Sequence, residues 1–331
     1  MNRVSVVLAS YQGERFVGAQ LASILAQSCP PDEVIVSDDG STDATVPIVR
    51  DLAASTPVPV TVLIARGRSG VAANLSRGLG LARGDVIAFA DQDDVWEPGK
   101  LARQLEVLEA TGAAAVFSDA AVVDAAGRAE GRRLWEAVGF DPRRQVRWEV
   151  DPLGVLLQRP VLTGATVLVR TAALGATVLP FPPHAWHDAW LALLLAGSGQ
   201  RMVALPELLL RYRLHERNAA GLPPTGLLRA RSQPAAWADH GHALVELRRA
   251  RDRLATLGVA QTVLARLDRA ADFRGARLAL PAHRWSRWAP VARRAVAGDY
   301  GAFANGWRSV VADLLLVGPP PTGPEAASPH G

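Results

Sequence analysis

Residues 86–96 constrain the fold more than any other stretch of this chain. They begin with the apolar run Val-Ile-Ala-Phe-Ala, which predicts a buried strand, and continue as Asp91-Gln92-Asp93-Asp94-Val95-Trp96. Three carboxylates so close together repel one another at the end of a strand. A divalent cation relieves that repulsion, because Mg2+ and Mn2+ prefer hard oxygen ligands and in turn hold phosphates. For the stretch taken alone, a solvated acidic loop is the alternative.

The length and composition predict a globular protein. The 331 residues suffice for one large domain and an appendage, and a hydrophobic content of 49% with 21% charged residues excludes a disordered chain. Cys29 is the single cysteine, which excludes an intrachain disulfide and favours a reducing cytoplasm. No run reaches the roughly 18 apolar residues of a membrane span. The apolar run at residues 4–9 is also too short for a signal-peptide core. We therefore expect a soluble, cytoplasmic protein.

The first 120 residues alternate between strand and helix patterns. Such alternation predicts an α/β fold with a mostly parallel sheet. The predicted strands cover residues 3–9, 33–37, 60–64, 86–91 and 114–118, and the predicted helices cover residues 14–27, 43 onward, 71–83 and 98–111.

Polar clusters follow three of these predicted strands. Ser10-Tyr11, Asp38-Asp39 and residues 91–94 each stand where a strand ends. The carboxyl ends of parallel strands meet at one edge of an open sheet, which is where ligands bind in α/β proteins. The three clusters together predict a binding site at this edge.

The middle of the chain is less regular. Residues 120–160 are predicted to be a loop region with a short helix at 153–158. Residues 161–169 are predicted to form a strand interrupted by Gly164, where a backbone or ligand would approach closely. His187 and Asp188 precede a predicted buried helix through residue 196, whose positive end favours an ionised Asp188. Two further apolar segments, 202–205 and 208–213, flank Pro206.

The C-terminal part changes character from about residue 226. Arginine-rich amphipathic helices are predicted there, with Trp285, Trp288 and Trp307 among the arginines, and residues 318–331 are predicted to be disordered. Lys100 is the only lysine, so the net charge of +4 rests on arginine. A basic face in this region would meet phosphates or an anionic membrane surface. A solvated helix face is the alternative.

Several of these side chains suit the binding of a nucleotide. Tyr11 could stack on a base or hydrogen-bond to it, and Asp39 could accept a hydrogen bond from a pyrimidine N–H. Asp91 and Asp93 could bind a ribose and a metal ion.

Two further side chains each have two interpretations. Asp188 is a candidate general base for an acceptor hydroxyl, or alternatively a helix N-cap. His215 is a third metal ligand or only a loop histidine.

Taken together, these motifs resemble a known family. The chain over residues 3–220 is similar to family 2 glycosyltransferases of the GT-A fold, and within them to the bacterial rhamnosyltransferase branch. The resemblance rests on V-S-V-V-L-A-S-Y (4–11), V-S-D-D-G-S-T-D (36–43), F-A-D-Q-D-D-V-W (89–96), T-G (163–164), H-D-A-W (187–190) and Y-R-L-H-E-R-N (212–218).

The resemblance implies roles for the nucleotide-binding positions. Ala9, Tyr11 and Asp39 would hold the nucleobase, and Arg68 would contact the base or a phosphate. Asp91 would lie nearer the ribose. Asp94 would contact the sugar or hold its loop.

The resemblance also implies the catalytic and metal positions. Asp93 would be the principal ligand of Mg2+ or Mn2+, with Asp91 and His215 as further ligands. Asp188 would be the catalytic base of an inverting transfer. Two departures are Gln12, in place of a common asparagine, and Ala189, in place of a bulkier residue, which leaves the acceptor in doubt.

The implied substrates and domains follow. The donor would be a nucleoside-diphosphate sugar, with dTDP-L-rhamnose first among them, and the acceptor a hydroxyl of a cell-surface polysaccharide or lipid-linked glycan. Residues 1–220 would form the GT-A domain, residues 221–317 a helical region and residues 318–331 the tail. The helices, with Trp285 and Trp288, would touch the inner membrane face, unless they only pack on the catalytic domain.

Three other functions compete with this interpretation. A sugar-nucleotide pyrophosphorylase would carry a glycine-rich basic signature after the first strand, which residues 10–13 lack. A basic module for nucleic acid would place phosphates beside repelling carboxylates, so we expect no nucleic-acid partner. An inactive transferase scaffold would not need Asp91, Asp93 and Asp188 together.

Overall fold

The computed structural model describes residues 2–183, 185–216 and 233–315, apart from the side chains of residues 176 and 233–240. The chain divides into two compact units. The first comprises Met1–Val150 and Val161–Leu222, and the second comprises Asp151–Pro160 and Pro223–Gly331. The second unit includes the segment 151–160, which we had placed in the first domain, and the boundary near residue 220 stays a prediction. The predicted tail, 318–331, lies outside the described residues.

One nine-stranded sheet organises the first unit. Its strands are β1 (Val4–Ser10), β2 (Glu33–Asp38), β3 (Val60–Ile64), β4 (Val86–Asp91), β5 (Val95–Trp96), β6 (Ala115–Val123), β7 (Ala129–Arg133), β8 (Val167–Arg170) and β9 (Met202–Arg213). The order across the sheet is β3-β2-β1-β4-β8-β6-β9-β5, and β7 pairs with β6.

Most strands of this sheet run in one direction. The pairs β1–β2, β1–β4, β2–β3 and β6–β9 are parallel. The strand β8 lies between β4 and β6 and is antiparallel to both, so β6 still runs in the same direction as β4. The strands β5 and β7 are antiparallel to their partners β9 and β6. A mostly parallel α/β sheet was therefore predicted correctly, whereas the inserted antiparallel strand was not.

Helices on the sheet of the first unit follow the predicted alternation. They are α1 (Val17–Leu25), α2 (Thr45–Ala54), α3 (Val71–Leu79), α4 (Lys100–Thr111), α5 (Leu134–Val138), α6 (Pro142–Trp148), α8 (Thr171–Val178) and α9 (His187–Gly197). The inward faces of β1 and β4 and the stripe Val17, Leu21, Ile24 of α1 are fully buried in one core. Burial of each such side chain contributes roughly 1.5–3 kcal/mol, so this core holds the strand ends in place.

The loop predicted over residues 120–150 was wrong, whereas the short helix predicted at 153–158 is confirmed as Pro152–Gln158. The strand β6 continues to Val123, and β7, α5 and α6 follow it. Trp135, Phe140 and Trp148 pack their rings around Phe117, with centroid separations of 5.0–5.9 Å. Asp119 accepts hydrogen bonds from Arg133 and from the backbone N–H of Trp135. Isolated aromatic residues between arginines do not repeat with the period of a helix. The sequence pattern therefore did not predict these helices.

Two further predictions changed in detail. The stretch predicted as one strand, 161–169, contains a 3-10 turn at Gly164–Thr166 before β8 begins. The two segments flanking Pro206 form the single strand β9. The β6–β9 register shifts there, from Ser118 opposite Leu205 to Asp119 opposite Leu208. A bulge of this kind accommodates proline, which has no N–H for a ladder bond.

Helices build the second unit. They are α7 (Pro152–Gln158), α10 (Gln233–Thr256), α11 (Gln261–Leu278), α12 (Trp288–Val296), α13 (Asp299–Phe303) and α14 (Trp307–Leu315), with a 3-10 turn at Arg284–Arg287. Asp151 accepts from Arg266 and Leu157 accepts from Arg274, which fixes α7 among these helices. Among the described residues, no helix combines the length and apolarity needed to cross a bilayer.

Candidate active site

The three polar clusters meet at one edge of the sheet, as predicted. In the β1–β4 ladder Ala9 lies opposite Asp91, and in the β1–β2 ladder Ser10 lies opposite Asp38. Ser10 Oγ donates to Asp38 over 2.8 Å, and Asp38 also accepts from Ser41. Asp38 is therefore a structural residue that closes the turn after β2. The edge itself presents Tyr11, Asp39 and the carboxylates that follow β4.

Gln92 holds the segment that carries Tyr11. Its side-chain oxygen accepts from the Tyr11 N–H over 2.8 Å, and its amide nitrogen donates to the Tyr11 carbonyl over 2.9 Å. Gly13 lies against the same amide, because a Cβ built at residue 13 would stand 2.0 Å from Gln92 Oε1. Gln92, between the two aspartates, thus links the loop after β4 to the loop after β1.

Asp39 is tied to the loop that contains Arg68. The buried Asp39 carboxylate accepts from the Ser69 and Gly70 N–H groups and from Arg77. These hydrogen bonds, together with one from the Ser69 hydroxyl, outweigh desolvation and lower the pKa of Asp39. The Arg68 guanidinium stacks 4.9 Å from the Tyr11 ring. The predicted base-binding residues Tyr11, Asp39 and Arg68 therefore lie together, and a base contacting Asp39 would replace one of its loop partners.

His215 and Asp93 are brought into contact from distant parts of the chain. His215 Nε2 lies 2.8 Å from Asp93 Oδ2, and both side chains are only slightly exposed. The ring of Phe16 packs on His215 with centroids 4.7 Å apart. Arg213 at the end of β9 donates to the Asp93 carbonyl over 2.8 Å. The end of β9 is thereby fixed to the acidic loop, and the two residues predicted as metal ligands share one place.

Asp94 stabilises the acidic loop, residues 91–94, from a buried position. It is 1% exposed, and its Oδ1 accepts from the Arg213 N–H over 3.0 Å. Burial and the neighbouring Asp93 and Asp91 raise its pKa well above the ordinary value. Of the two roles expected for Asp94, this position fits loop-holding, and the predicted sugar contact receives no support from the geometry.

Lys100 lies under the same loop. It is fully buried, stacks its ammonium 3.9 Å from the Trp96 ring centroid and donates to Gln104. Desolvation lowers the pKa of Lys100 to about 7, although the charge of Asp94 acts in the opposite direction. In its charged form, Lys100 balances part of the charge of Asp94.

The carboxylates that reach the edge repel one another. Burial raises the pKa of Asp91 to about 7, with further contributions from the charges of Asp93 and Asp188. Asp188 lies in the first turn of α9, where its Oδ1 accepts from the Ala189 N–H over 2.8 Å. The structure therefore places Asp188, the predicted base, close enough to Asp91 to be felt electrostatically. The N-cap alternative was wrong, since α9 begins at His187 with Trp186 as its cap.

His187 explains the interruption at Gly164. A Cβ at residue 164 would stand 2.3 Å from His187 Nε2, so only glycine leaves room for this ring. The ring also packs between Phe89 and Phe181, with centroids 6.2 and 6.0 Å away. Burial lowers the pKa of His187, which keeps the imidazole neutral. The close approach predicted at Gly164 is made by a side chain that positions the start of α9.

The donor set suits a hard divalent cation, but the protein supplies only part of it. His215 Nε2 contacts Asp93, and Asp91 feels the charge of Asp93; the repulsion between these two carboxylates is the kind that a cation relieves. Within the described ranges, no three His, Cys, Asp or Glu side chains form a ready-made metal cluster. Mg2+ and Mn2+ sites often use one or two protein carboxylates and complete their shell with substrate phosphates and water. The residues therefore fit a metal that enters with a phosphorylated ligand.

Sequence reasoning missed Gln92, Gly13 and Arg213 as parts of this site. Gln92 was interpreted only as a spacer between two aspartates, and nothing local indicates that its amide reaches Tyr11. Arg213 was treated as a strand end. Their roles depend on contacts between residues about 80 or more positions apart.

Comparison with known proteins shows what this chain is similar to. Residues 5–165, slightly less than half of the chain, match the sequence model of Glycosyl transferase family 2. This part of the chain is similar to that family. An uncharacterized glycosyltransferase of Nostoc sp. is 30% identical over 225 residues, which are 65% of this chain and 66% of that protein. The chain thus spans slightly less than two thirds of this relative.

Two other comparisons extend this likeness. The Escherichia coli protein UDP-Glc:alpha-D-GlcNAc-diphosphoundecaprenol beta-1,3-glucosyltransferase WfaP is 33% identical over 109 residues, 33% of this chain and 42% of its own. The mannosyltransferase PcManGT from Pyrobaculum calidifontis, solved with GDP-Man and Mn2+, has 20% identity and a TM-score of 0.57, covering 95% of this chain and 86% of that one. The structural likeness confirms the predicted GT-A-type fold of this chain.

Proposed function

We propose that this protein is an inverting, metal-dependent glycosyltransferase that moves a sugar from a nucleoside diphosphate to a hydroxyl of a cell-surface polysaccharide or lipid-linked glycan. The observation that carries the proposal is the convergence of Tyr11, Asp39 and Arg68 with Asp91, Asp93 and Asp188 at one sheet edge. Tyr11, Asp39 and Arg68 suit a nucleobase. Asp91 and Asp93 suit a diphosphate and its metal. Asp188 supplies a carboxylate for an acceptor.

The donor would lie along this edge. Tyr11 would contact the base with Ala9 and Asp39 around it, and Asp91 would approach the ribose. Arg68, now stacked on Tyr11, would move onto the base or a phosphate. Asp93 and His215, with Asp91, would hold the cation. When bound, the cation would offset the negative charge that gathers on the departing diphosphate.

Asp188 would act as the general base. Its carboxylate would take the proton of the acceptor hydroxyl while the hydroxyl oxygen bonds to the anomeric carbon. The bond from that carbon to the diphosphate oxygen breaks on the opposite face, and its electron pair leaves with the nucleoside diphosphate. The anomeric configuration is thereby inverted. The neutral, close-packed His187 beside it would keep the start of α9 fixed.

The donor sugar is proposed on narrower grounds. The D-Q-D-D-V-W, H-D-A-W and Y-R-L-H-E-R-N motifs resemble bacterial rhamnosyltransferases, so dTDP-L-rhamnose is the first donor to test. A β-L-rhamnosyl donor would give an α-L-rhamnoside. Relatives differ in donor, with UDP-Glc in the name of WfaP and GDP-Man bound to PcManGT, so a transferase for another hexose is the alternative. A lipid-linked acceptor follows the name of WfaP.

The experiment is a donor screen followed by one substitution. Purified protein with Mn2+ or Mg2+ is offered dTDP-L-rhamnose, UDP-glucose, UDP-GlcNAc and GDP-mannose, and both thermal stabilisation and release of the nucleoside diphosphate are measured. Asp188→Asn is expected to keep donor binding and to lower transfer about 100-fold or more, the scale of general-base loss. Asp51→Asn, on the exposed face of α2, is the control. Turnover at the wild-type rate in Asp188→Asn would refute the assignment of the base.

A further inference from the structure

The second unit exposes three tryptophans within a short stretch of chain. Trp285 is 63%, Trp288 54% and Trp307 71% exposed, whereas Trp96, Trp135, Trp148 and Trp190 are at most 4% exposed. Exposed tryptophan is unusual on a soluble surface, because its large ring gains more than most side chains from burial. These three exposed residues indicate a surface that binds a partner.

The tryptophans begin two matching stripes. On α12, Trp288, Ala292 and Val296 lie at i, i+4 and i+8, and on α14 Trp307, Val311 and Leu315 repeat the pattern. Residues so spaced share one helix face. All six are exposed, and Val296 reaches 90% exposure. We call these six residues with Trp285 the tryptophan surface.

The helices that carry this surface are firmly held together. The helices α12 and α14 and the 3-10 turn of Trp285 pack against one another. Their interior contains Asp313, which accepts from Arg277 and from the Tyr300 hydroxyl, and Arg287, which donates to the Asp313 carbonyl. The exposed apolar residues of the tryptophan surface therefore lie on well-packed helices and do not result from poor packing of the core.

The exposed charge within the stretch of chain that carries the tryptophans has one sign. Between residues 279 and 315 the only carboxylates are Asp299 and Asp313, and both are buried in ion pairs with arginine. Arg284, Arg293 and Arg308 are exposed. The guanidinium groups of Arg284 and Arg308 stack on Trp285 and Trp307, 5.2 and 5.8 Å from the ring centroids. The exposed charge of this stretch is thus entirely cationic.

We propose that the tryptophan surface binds the anionic lipid surface of a membrane. Interfacial helices combine an apolar face containing tryptophan with arginines that reach lipid phosphates. A nucleic acid would also accept the arginines and stack on the rings, but it offers nothing to Val296, Val311 and Leu315. Acyl chains bury those aliphatic side chains. The binding needs no transferase activity, so the proposal stands apart from the proposed reaction.

The test is flotation of the full chain with lipid vesicles. Vesicles of phosphatidylcholine with about a third phosphatidylglycerol should carry the protein, and vesicles of phosphatidylcholine alone should carry much less, with the difference shrinking as salt rises. Replacing Trp285, Trp288 and Trp307 by serine should lower the partition at least tenfold. The matched control, Val146→Ser with Val150→Ser, changes two apolar residues that are 75% and 83% exposed in the first unit.

A charge variant separates electrostatics from apolar burial. Arg284→Glu, Arg293→Glu and Arg308→Glu together should lower binding to anionic vesicles on the order of 100-fold, since each basic residue at such a surface contributes about fivefold. Arg128→Glu, Arg143→Glu and Arg248→Glu change the net charge equally at exposed sites elsewhere and should have a much smaller effect.

Four outcomes would overturn the proposal. One is absence of binding to anionic vesicles at low salt, and a second is equal loss in the test and control variants. The third is a wild-type dimer that the tryptophan substitutions convert to monomer without any vesicle binding, which would assign the surface to a second copy. Retention on single-stranded DNA in place of vesicles would likewise assign it to nucleic acid.

Discussion

The contact between Gln92 and the Tyr11 segment can be tested by a double-mutant cycle with Gly13. The substitution Gln92→Ala removes two hydrogen bonds, of 2.8 and 2.9 Å, between its amide and the Tyr11 backbone. At about 1 kcal/mol each, their loss should favour local opening by roughly 2 kcal/mol, or about 30-fold. Gly13→Ala would place a Cβ 2.0 Å from Gln92 Oε1 and 2.5 Å from its Cδ. The amide would be pushed away, with a similar cost.

The two substitutions should therefore not add. In Gln92→Ala the atoms that clash with residue 13 are gone, so Gly13→Ala should cost nothing further there. The measurement is hydrogen exchange of the peptide spanning residues 8–16, in which the Tyr11 amide reports the opening directly. Each single variant should lose about 30-fold protection, and the double variant about the same.

A matched pair provides the control for this cycle. A Cβ at Gly99 meets nothing within 4 Å, so Gly99→Ala should leave exchange unchanged alone and add nothing when combined with Gln92→Ala. Nucleotide binding measured on the same proteins shows whether the loosened segment weakens the site. A double variant that loses protection as the product of the single losses, near 900-fold, would refute the contact.

Two other substitutions test the electrostatics and packing of the site. Asp91 has an ordinary pKa of 3.8 and a folded value of about 7, so between these pH values the folded state holds the extra proton and stability falls as pH rises. Asp91→Asn should abolish that fall and raise the urea midpoint of the metal-free protein at pH 8 while weakening Mn2+ binding; a wild-type pH slope in the variant would contradict the assigned shift. Gly164→Ala should displace His187, lower the free energy of unfolding by about 1–3 kcal/mol and reduce transfer, as read by urea unfolding and turnover. Gly175→Ala, whose Cβ meets nothing within 4 Å, should do neither, and equal stability of the two variants would refute the packing argument.

The pattern of strands and their polar ends was readable from the sequence because it is local. Apolar runs of three to five residues at β1, β2 and β4 indicate buried parallel strands, and chain direction then brings Tyr11, Asp39 and Asp91 to one edge. The same reasoning identified Asp188 at the start of an apolar helix. It failed over residues 120–150, where the fold depends on four aromatic rings meeting and no periodic pattern exists.

Contacts between remote segments were decided by tertiary structure alone. Asp94 is buried and hydrogen-bonded within its loop, and His215 contacts Asp93. The Gln92 amide holds the Tyr11 backbone. Asp39 accepts hydrogen bonds from the backbone of Ser69 and Gly70. A side chain's role at a site depends on which atoms are left to face a ligand after the chain has satisfied its own polar groups. That remainder is set by packing across the whole unit, so the sequence determined which chemistry is present and the fold decided which atoms are available for it.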